Sequence, residues 1–246
     1  MKVDRFLCFA SAVLLISFSL AKFDASSDHA TAYMIPSVPA QILHSTVKVK
    51  IDLGQGRTAW GSATAISSTT YLTAAHLVLD EDDDGNLIGG PKFKAYIQLK
   101  QAEYKASVWE ETKVLGYDSV HDLAILEVET GTQTFATFGE EGDVKVGDPV
   151  WIIGAPVASS PQTTTLGWLA SEENELPHTD YPYYAQSSNT IYGGNSGGGV
   201  YDANRNTLIG VLVAGTRAPN TAFFVPLKFV NVLLLKVASG GAGGKK

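Results

Sequence analysis

From Ser45 onward the chain is a succession of short β-branched and aromatic runs, separated by Gly, Asp, Asn and Pro. Thr46-Val47-Lys48-Val49-Lys50-Ile51 alternates apolar and polar positions with a period of two, the pattern of a half-buried strand. Further strands are expected at 59–66, 70–73, 93–98, 105–115 and 123–128. A polar, glycine-containing link follows at about 130–146, and a second series runs through 149–154, 163–171, 183–186, 199–201, 208–214 and 222–225. Two sets of about six short strands predict an all-β chain of two six-stranded antiparallel β-barrels, one over about 45–130 and one over about 146–225. The period changes to 3.6 only near the end. Phe229, Val230, Leu233, Leu234 and Val237 share one face, and Pro226 suits a first helical position, so a C-terminal helix is expected over 226–238, packed on the second barrel.

The N-terminus has a different texture. Lys2 and Arg5 precede an apolar run from Phe6 to Leu20 that is short for a bilayer span, and Ser19-Leu20-Ala21 offers small residues at a cleavage site. Residues 1–21 therefore read as a signal peptide, with an uncleaved anchor as the alternative; 22–44 read as an N-terminal arm or pro-segment, and 239–246 as a disordered tail. The one cysteine, Cys8, falls inside the expected signal peptide, so the mature chain has neither a disulfide nor a thiol nucleophile. A secreted or periplasmic protein with no stable membrane insertion after signal removal is expected. The 246 residues are 45% hydrophobic and 17% charged, a folded composition, and the net charge of −7 with no basic stripe argues against nucleic-acid binding.

Candidate chemistry centres on Ile191-Tyr192-Gly193-Gly194-Asn195-Ser196-Gly197-Gly198-Gly199. Glycines let backbone come close to a ligand, so this stretch can offer one hydroxyl beside exposed peptide N–H groups. Acyl transfer needs both: a nucleophile, and fixed donors about 3 Å from the oxygen that will carry negative charge. Alone, such a stretch reads first as a hairpin turn. Two other positions change its weight. Tyr71-Leu72-Thr73-Ala74-Ala75-His76 ends a strand and places an imidazole beside small residues. His121-Asp122-Leu123-Ala124-Ile125-Leu126 puts a carboxylate at the mouth of an apolar strand, an unfavourable place unless something pairs with it.

These three segments, in this order and across two sets of strands, resemble the trypsin-like (chymotrypsin-fold) serine peptidases over about residues 45–238. Trp60-Gly61-Ser62-Ala63-Thr64-Ala65-Ile66 and the Asn195 before the serine are most similar to the bacterial Deg/HtrA-type and glutamyl-endopeptidase-type branches, although the residues after 238 are too few for a PDZ domain. The resemblance implies that Ser196 is the nucleophile, His76 the general base and acid, and Asp122 the group that orients the imidazole. It implies an oxyanion hole made by the backbone N–H groups of Gly194 and Ser196, and a substrate pocket at Thr190, Val213, Ala214, Gly215 and Ala222. Many members carry Asp immediately before the nucleophile, where it pairs with a freed N-terminus. Asn195 has no charge, so activation by that ion pair is not expected. Thr190 at the pocket base is neutral, and Val211, Leu212 and Val213 supply no histidine for an acidic side chain. The expectation is therefore a preference for small or medium apolar P1 residues, on protein or peptide substrates, by a monomer.

No cofactor is implied. Asp80, Asp82 and Asp84 echo the start of a calcium loop, but the twelfth position is Pro91, and a solvated acidic loop is the competing reading. His29, His44, His121 and His178 form no metal spacing, and there is no H-E-x-x-H pair. The rival to a peptidase is a catalytically inactive barrel of this fold that binds peptides or a surface partner in the same cleft.

Overall fold

A computed structural model of the chain describes residues 37–84, 86–99, 108–132, 134–156, 162–174, 184–216 and 218–241. The expected signal peptide, most of the arm and residues 242–246 of the tail lie outside the described residues. The first described element is a short helix, α1 (Ala40–Ser45), which overlaps the end of the segment read as an arm and runs one residue past it.

The first set of strands comprises β1 (Thr46–Asp52), β2 (Thr58–Ala65), β3 (Thr70–Ala74), β4 (Asp80–Glu81), β5 (Leu87–Ile88), β6 (Lys94–Gln98), β7 (Trp109–Glu111), β8 (Lys113–Asp118) and β9 (Leu123–Glu127). β4 and β5 form a separate small hairpin, and the others make a seven-stranded sheet in the order β7-β6-β1-β2-β3-β9-β8. Its outer members, β7 and β8, are consecutive in the chain and separated only by Thr112, whose N–H and hydroxyl both bond to Ala95 O of β6, at 2.8 and 3.0 Å. Of the expected strand 105–115, residues 105–107 lie outside the described residues; the rest bends at Thr112, β7 pairing with β6 before the corner and β8 with β9 after it.

The second set comprises β10 (Pro149–Gly154), β11 (Thr163–Asn174), β12 (Tyr184–Ser187), β13 (Gly199–Asp202), β14 (Leu208–Gly215) and β15 (Ala222–Pro226). It is a closed antiparallel barrel in the order β10-β11-β12-β15-β14-β13, as expected for this fold class.

Burial follows the alternation. In β10, Val150 and Ile152 join the second barrel's interior with Leu169, Val200, Leu212 and Phe224, whereas Trp151 and Ile153 face a larger cluster shared with the first set of strands. A strand apolar on both faces reads as a continuous run, and β9 does the same with Leu123, Ala124, Ile125 and Leu126 all buried. Helix α2 (Leu227–Ala238) starts one residue later than expected, because Pro226 has ψ 158° and still belongs to β15. Leu227, Val230 and Leu233 are its buried stripe. It packs on β14 and β15, and also on β8 and β9 of the first set, where Phe229 stacks on His121 with centroids 3.9 Å apart. Among the described residues no helix is long and apolar enough to cross a membrane.

Candidate active site

His76 stands on a single 3-10 turn, Ala75–Leu77, directly after β3. Asp122 immediately precedes β9, the strand paired with β3 from Thr70↔Glu127 to Ala74↔Leu123. This pairing brings residues 46 positions apart into contact. Asp122 adopts a left-handed φ of 55°, uncommon without glycine, and the turn holds it there. Its carbonyl accepts Ala75 N–H at 3.1 Å, Oδ1 accepts His76 N–H at 2.8 Å, and Oδ2 lies 2.7 Å from His76 Nδ1. An ionised carboxylate only accepts, so Nδ1 carries the proton and Nε2 is left with its lone pair. Burial pulls the imidazole pKa down, but the Asp122 charge and hydrogen bond, with a smaller contribution from Glu81, hold it above its ordinary value of 6.5.

The neighbouring turn is built on a second pair. Asp118 Oδ1 accepts Val120 N–H at 2.9 Å and His121 N–H at 3.2 Å, and Oδ2 lies 2.7 Å from His121 Nδ1. Burial raises the Asp118 pKa, but the bonds and charge of His121 keep it below its usual value. The residue before Asp122 is thus clamped between Asp118 and Phe229 of α2.

Ser196 lies in the glycine-rich loop between β12 and β13. Gly197 has a φ of 86°, and a Cβ there would sit 2.0 Å from Ser62 O and 2.3 Å from the Thr73 hydroxyl. Only glycine lets this loop press against β2 and β3, three residues before His76. Ser196 O accepts Ser62 N–H at 2.7 Å, so the loop of the closed barrel is sewn to β2 of the seven-stranded sheet. The Ser196 hydroxyl, however, donates to Val213 O at 3.3 Å. Val213 is the extra residue of a bulge in β14, between the pairs Leu212↔Phe224 and Ala214↔Phe223. Among the described residues His76 and Ser196 share no hydrogen bond, and neither Gly194 N–H nor Ser196 N–H donates one. His76 and Asp122 are thus joined to each other, and the Ser196 hydroxyl is bonded to Val213 O. Asn195 is buried and accepts the Thr163 hydroxyl at 3.3 Å, so its position needs no charge.

Of the expected pocket residues, Thr190 donates its hydroxyl to Asn220 Oδ1 at 2.6 Å. Val213 and Ala222 are buried, and Ala222 pairs with Gly215 and Ser187 in the barrel wall. Ile191 was not among the expected pocket residues. A Cβ on Gly215 would lie 2.2 Å from Ile191 Cδ1, so the isoleucine covers the face that Gly215 leaves bare. An apolar side chain stranded in a polar glycine loop was its only sequence signal. Ser62, one small residue in a run of small residues along β2, gave none. In the acidic loop, Asp80 forms an ion pair with Lys92, and Asp82 Oδ1 accepts Asp84 N–H at 3.0 Å and Asn86 N–H at 2.8 Å. Among the described residues no three His, Cys, Asp or Glu side chains gather as a metal site.

A trypsin-like peptidase domain family model matches residues 61–211. A "Probable periplasmic serine endoprotease DegP-like" protein of Rickettsia prowazekii (strain Madrid E) is 34% identical over 119 residues, 47% of this chain and 21% of that protein. One of the same description from Pseudomonas fulva (strain 12-X) is 32% identical over 143 residues, 58% of this chain and 26% of that protein. The chain thus spans about a quarter or less of the length of these curated relatives. Among solved structures, "HtrA-type protease AlgW with tripeptide" superposes with a TM-score of 0.67 at 22% identity, over 84% of this chain and 65% of that one. A serine endoprotease from Yersinia pestis gives 0.63 at 19%, over 84% and 68%.

Proposed function

The chain belongs to the trypsin-like peptidase family, and from that premise we propose that it is a serine endopeptidase working through His76, Asp122 and Ser196. The observation that carries the reading is the two-point grip of Asp122 on His76, which fixes both the ring and its tautomer. Turning the Ser196 hydroxyl from Val213 O toward His76 Nε2 would let the imidazole take its proton as Oγ attacks the scissile carbonyl. Catalytic hydrogen bonds are often loose without substrate and tighten in the complex. The carbonyl oxygen, becoming an oxyanion, would meet Gly194 N–H and Ser196 N–H, both unengaged among the described residues. His76 then gives its proton to the leaving amine, the C–N bond breaks, and water cleaves the acyl-enzyme by the same steps in reverse.

The relatives' names speak of periplasmic endoproteases, and a structure with a bound tripeptide shares the fold. Both support protein or peptide substrates and a periplasmic or secreted location. The pocket reading favours small or medium apolar P1 residues, since Ile191 fills space beside Gly215 and Thr190 is uncharged. Cleavage of a randomised peptide library tests both claims. Wild type should cut after residues such as Ala, Val or Leu, and Ser196→Ala should not cut. A dominant Arg, Lys or Glu preference would overturn the pocket reading, and equal cutting by Ser196→Ala would overturn the peptidase.

A further inference from the structure

The two unengaged N–H groups of the glycine loop are fixed by what holds their neighbours. The 194–195 peptide is tied at both ends: Gly194 O accepts the Ser62 hydroxyl at 2.7 Å, and Asn195 N–H donates to Tyr192 O at 3.0 Å. So is the 196–197 peptide: Ser196 O accepts Ser62 N–H and Gly197 N–H donates to Leu212 O, each at 2.7 Å. Between them, Asn195 O accepts Gly198 N–H at 2.9 Å. That leaves Ser196 N–H free between two pinned peptide planes, and Gly194 N–H free on the near side of the first. One residue, Ser62, holds one end of both planes.

Ser62 is itself held on several sides. It is fully buried in β2, and its carbonyl accepts the Thr73 hydroxyl at 2.7 Å. Its Oγ accepts Ala155 N–H at 2.8 Å. A hydroxyl has one proton, and Ala155 N–H can only donate, so the Ser62 proton is committed to Gly194 O. The orientation of that bond is set from both sets of strands, by β2 in the seven-stranded sheet and by Ala155 directly after β10 of the closed barrel.

We propose that Ser62 is the positioning residue of the oxyanion site: its hydroxyl, acting through the Gly194 carbonyl, aims the Gly194 and Ser196 N–H groups at the developing oxyanion. The proposal rests on the peptidase reading above and adds a residue that touches no substrate. A donor held in place before reaction needs no reorganisation during it, so losing the grip weakens the transition state more than substrate binding.

The test compares Ser62→Ala and Ser62→Cys with wild type and with Ser45→Ala. Ser45 supplies the control because its buried hydroxyl, 2.8 Å from Tyr201 OH, likewise ties the chain before β1 to β13 of the closed barrel but lies outside the loop. On a cleavable peptide, Ser62→Ala should lower kcat by about 10- to 100-fold with KM within about twofold, somewhat less than the loss of a whole oxyanion donor. Affinity for a peptide boronate, which mimics the tetrahedral state, should fall by the same factor, and affinity for the product peptide should not. Ser62→Cys, whose S–H is a weak donor, should fall between, and it supplies the answer if the alanine variant does not fold. Ser45→Ala should melt earlier with kcat unchanged. Wild-type kcat in a folded Ser62 variant, or boronate and product affinities that fall together, would overturn the positioning role. A wild type that fails to react with a fluorophosphonate would defeat the peptidase reading and the role with it, whereas a reactive wild type with unaffected Ser62 variants defeats the role alone.

Discussion

At the scale of single residues, the account turns on a proton. The imidazole of His76 holds its proton more tightly than usual because Asp122 faces it, despite burial. General-base catalysis needs the neutral ring, so kcat/KM should rise with pH through an inflection above 6.5. Stability runs the other way. A raised folded pKa stabilises the folded chain fully below the unfolded value, and that contribution is lost as pH climbs through the folded one. On the proposed function, the chain should therefore gain activity over the window in which His76 ceases to stabilise it. Asp122→Asn should lower kcat by about 10⁴-fold, as loss of the orienting carboxylate does in serine peptidases. A pH–rate profile of wild type and this variant checks both. An inflection at or below the ordinary histidine value would contradict the pairing. His76, Asp122 and Ser196 could be picked out in the sequence because their side chains are chemically rare in their settings. Ser62 and Ile191 could not, because a serine and an isoleucine do their work here through neighbours that only folding supplies.

At the scale of elements, alternation and continuous apolar runs located nearly every long strand. β1 shows a period of two, whereas β9 and β10 are buried on both faces. What sequence did not show were features set by tertiary contacts: the corner at Thr112, the Val213 bulge, the small hairpin of β4 and β5, and α1 within the supposed arm. The helix was foreseen, but its reach onto β8 and β9 was not, since a stripe of apolar residues says that a face is buried and not against what. Leu233 is fully buried in that stripe and Leu235 is 71% exposed. Leu233→Ala should destabilise by about 2–5 kcal/mol, while Leu235→Ala should stay within about 0.5 kcal/mol. Urea melts of both variants measure the contrast, and equal effects would refute the orientation of α2.

At the scale of the whole molecule, the site is a seam. Asp122 and His76 belong to the first set of strands, Ser196 to the second, and Ser62 with Gly197 and Thr73 joins them. Short polar ties cross the seam: Ser196 O accepts Ser62 N–H and Gly194 O accepts the Ser62 hydroxyl, each at 2.7 Å. Asp80 is already paired with Lys92, and Asp82 Oδ1 accepts the Asp84 and Asn86 N–H groups, so we expect the same melting temperature in EDTA and in millimolar Ca²⁺. A clear rise with calcium would restore the metal reading of that loop.

The central claim is that one hydroxyl, Ser196 Oγ, is made nucleophilic by His76. Intact-mass measurement after treatment with a fluorophosphonate tests it most directly, because only an activated serine displaces the fluoride. The account predicts one adduct per wild-type chain, mapped to Ser196, abolished in Ser196→Ala and slowed by orders of magnitude in His76→Ala. A wild type that stays unmodified, or an adduct that persists unchanged in either variant, would contradict it.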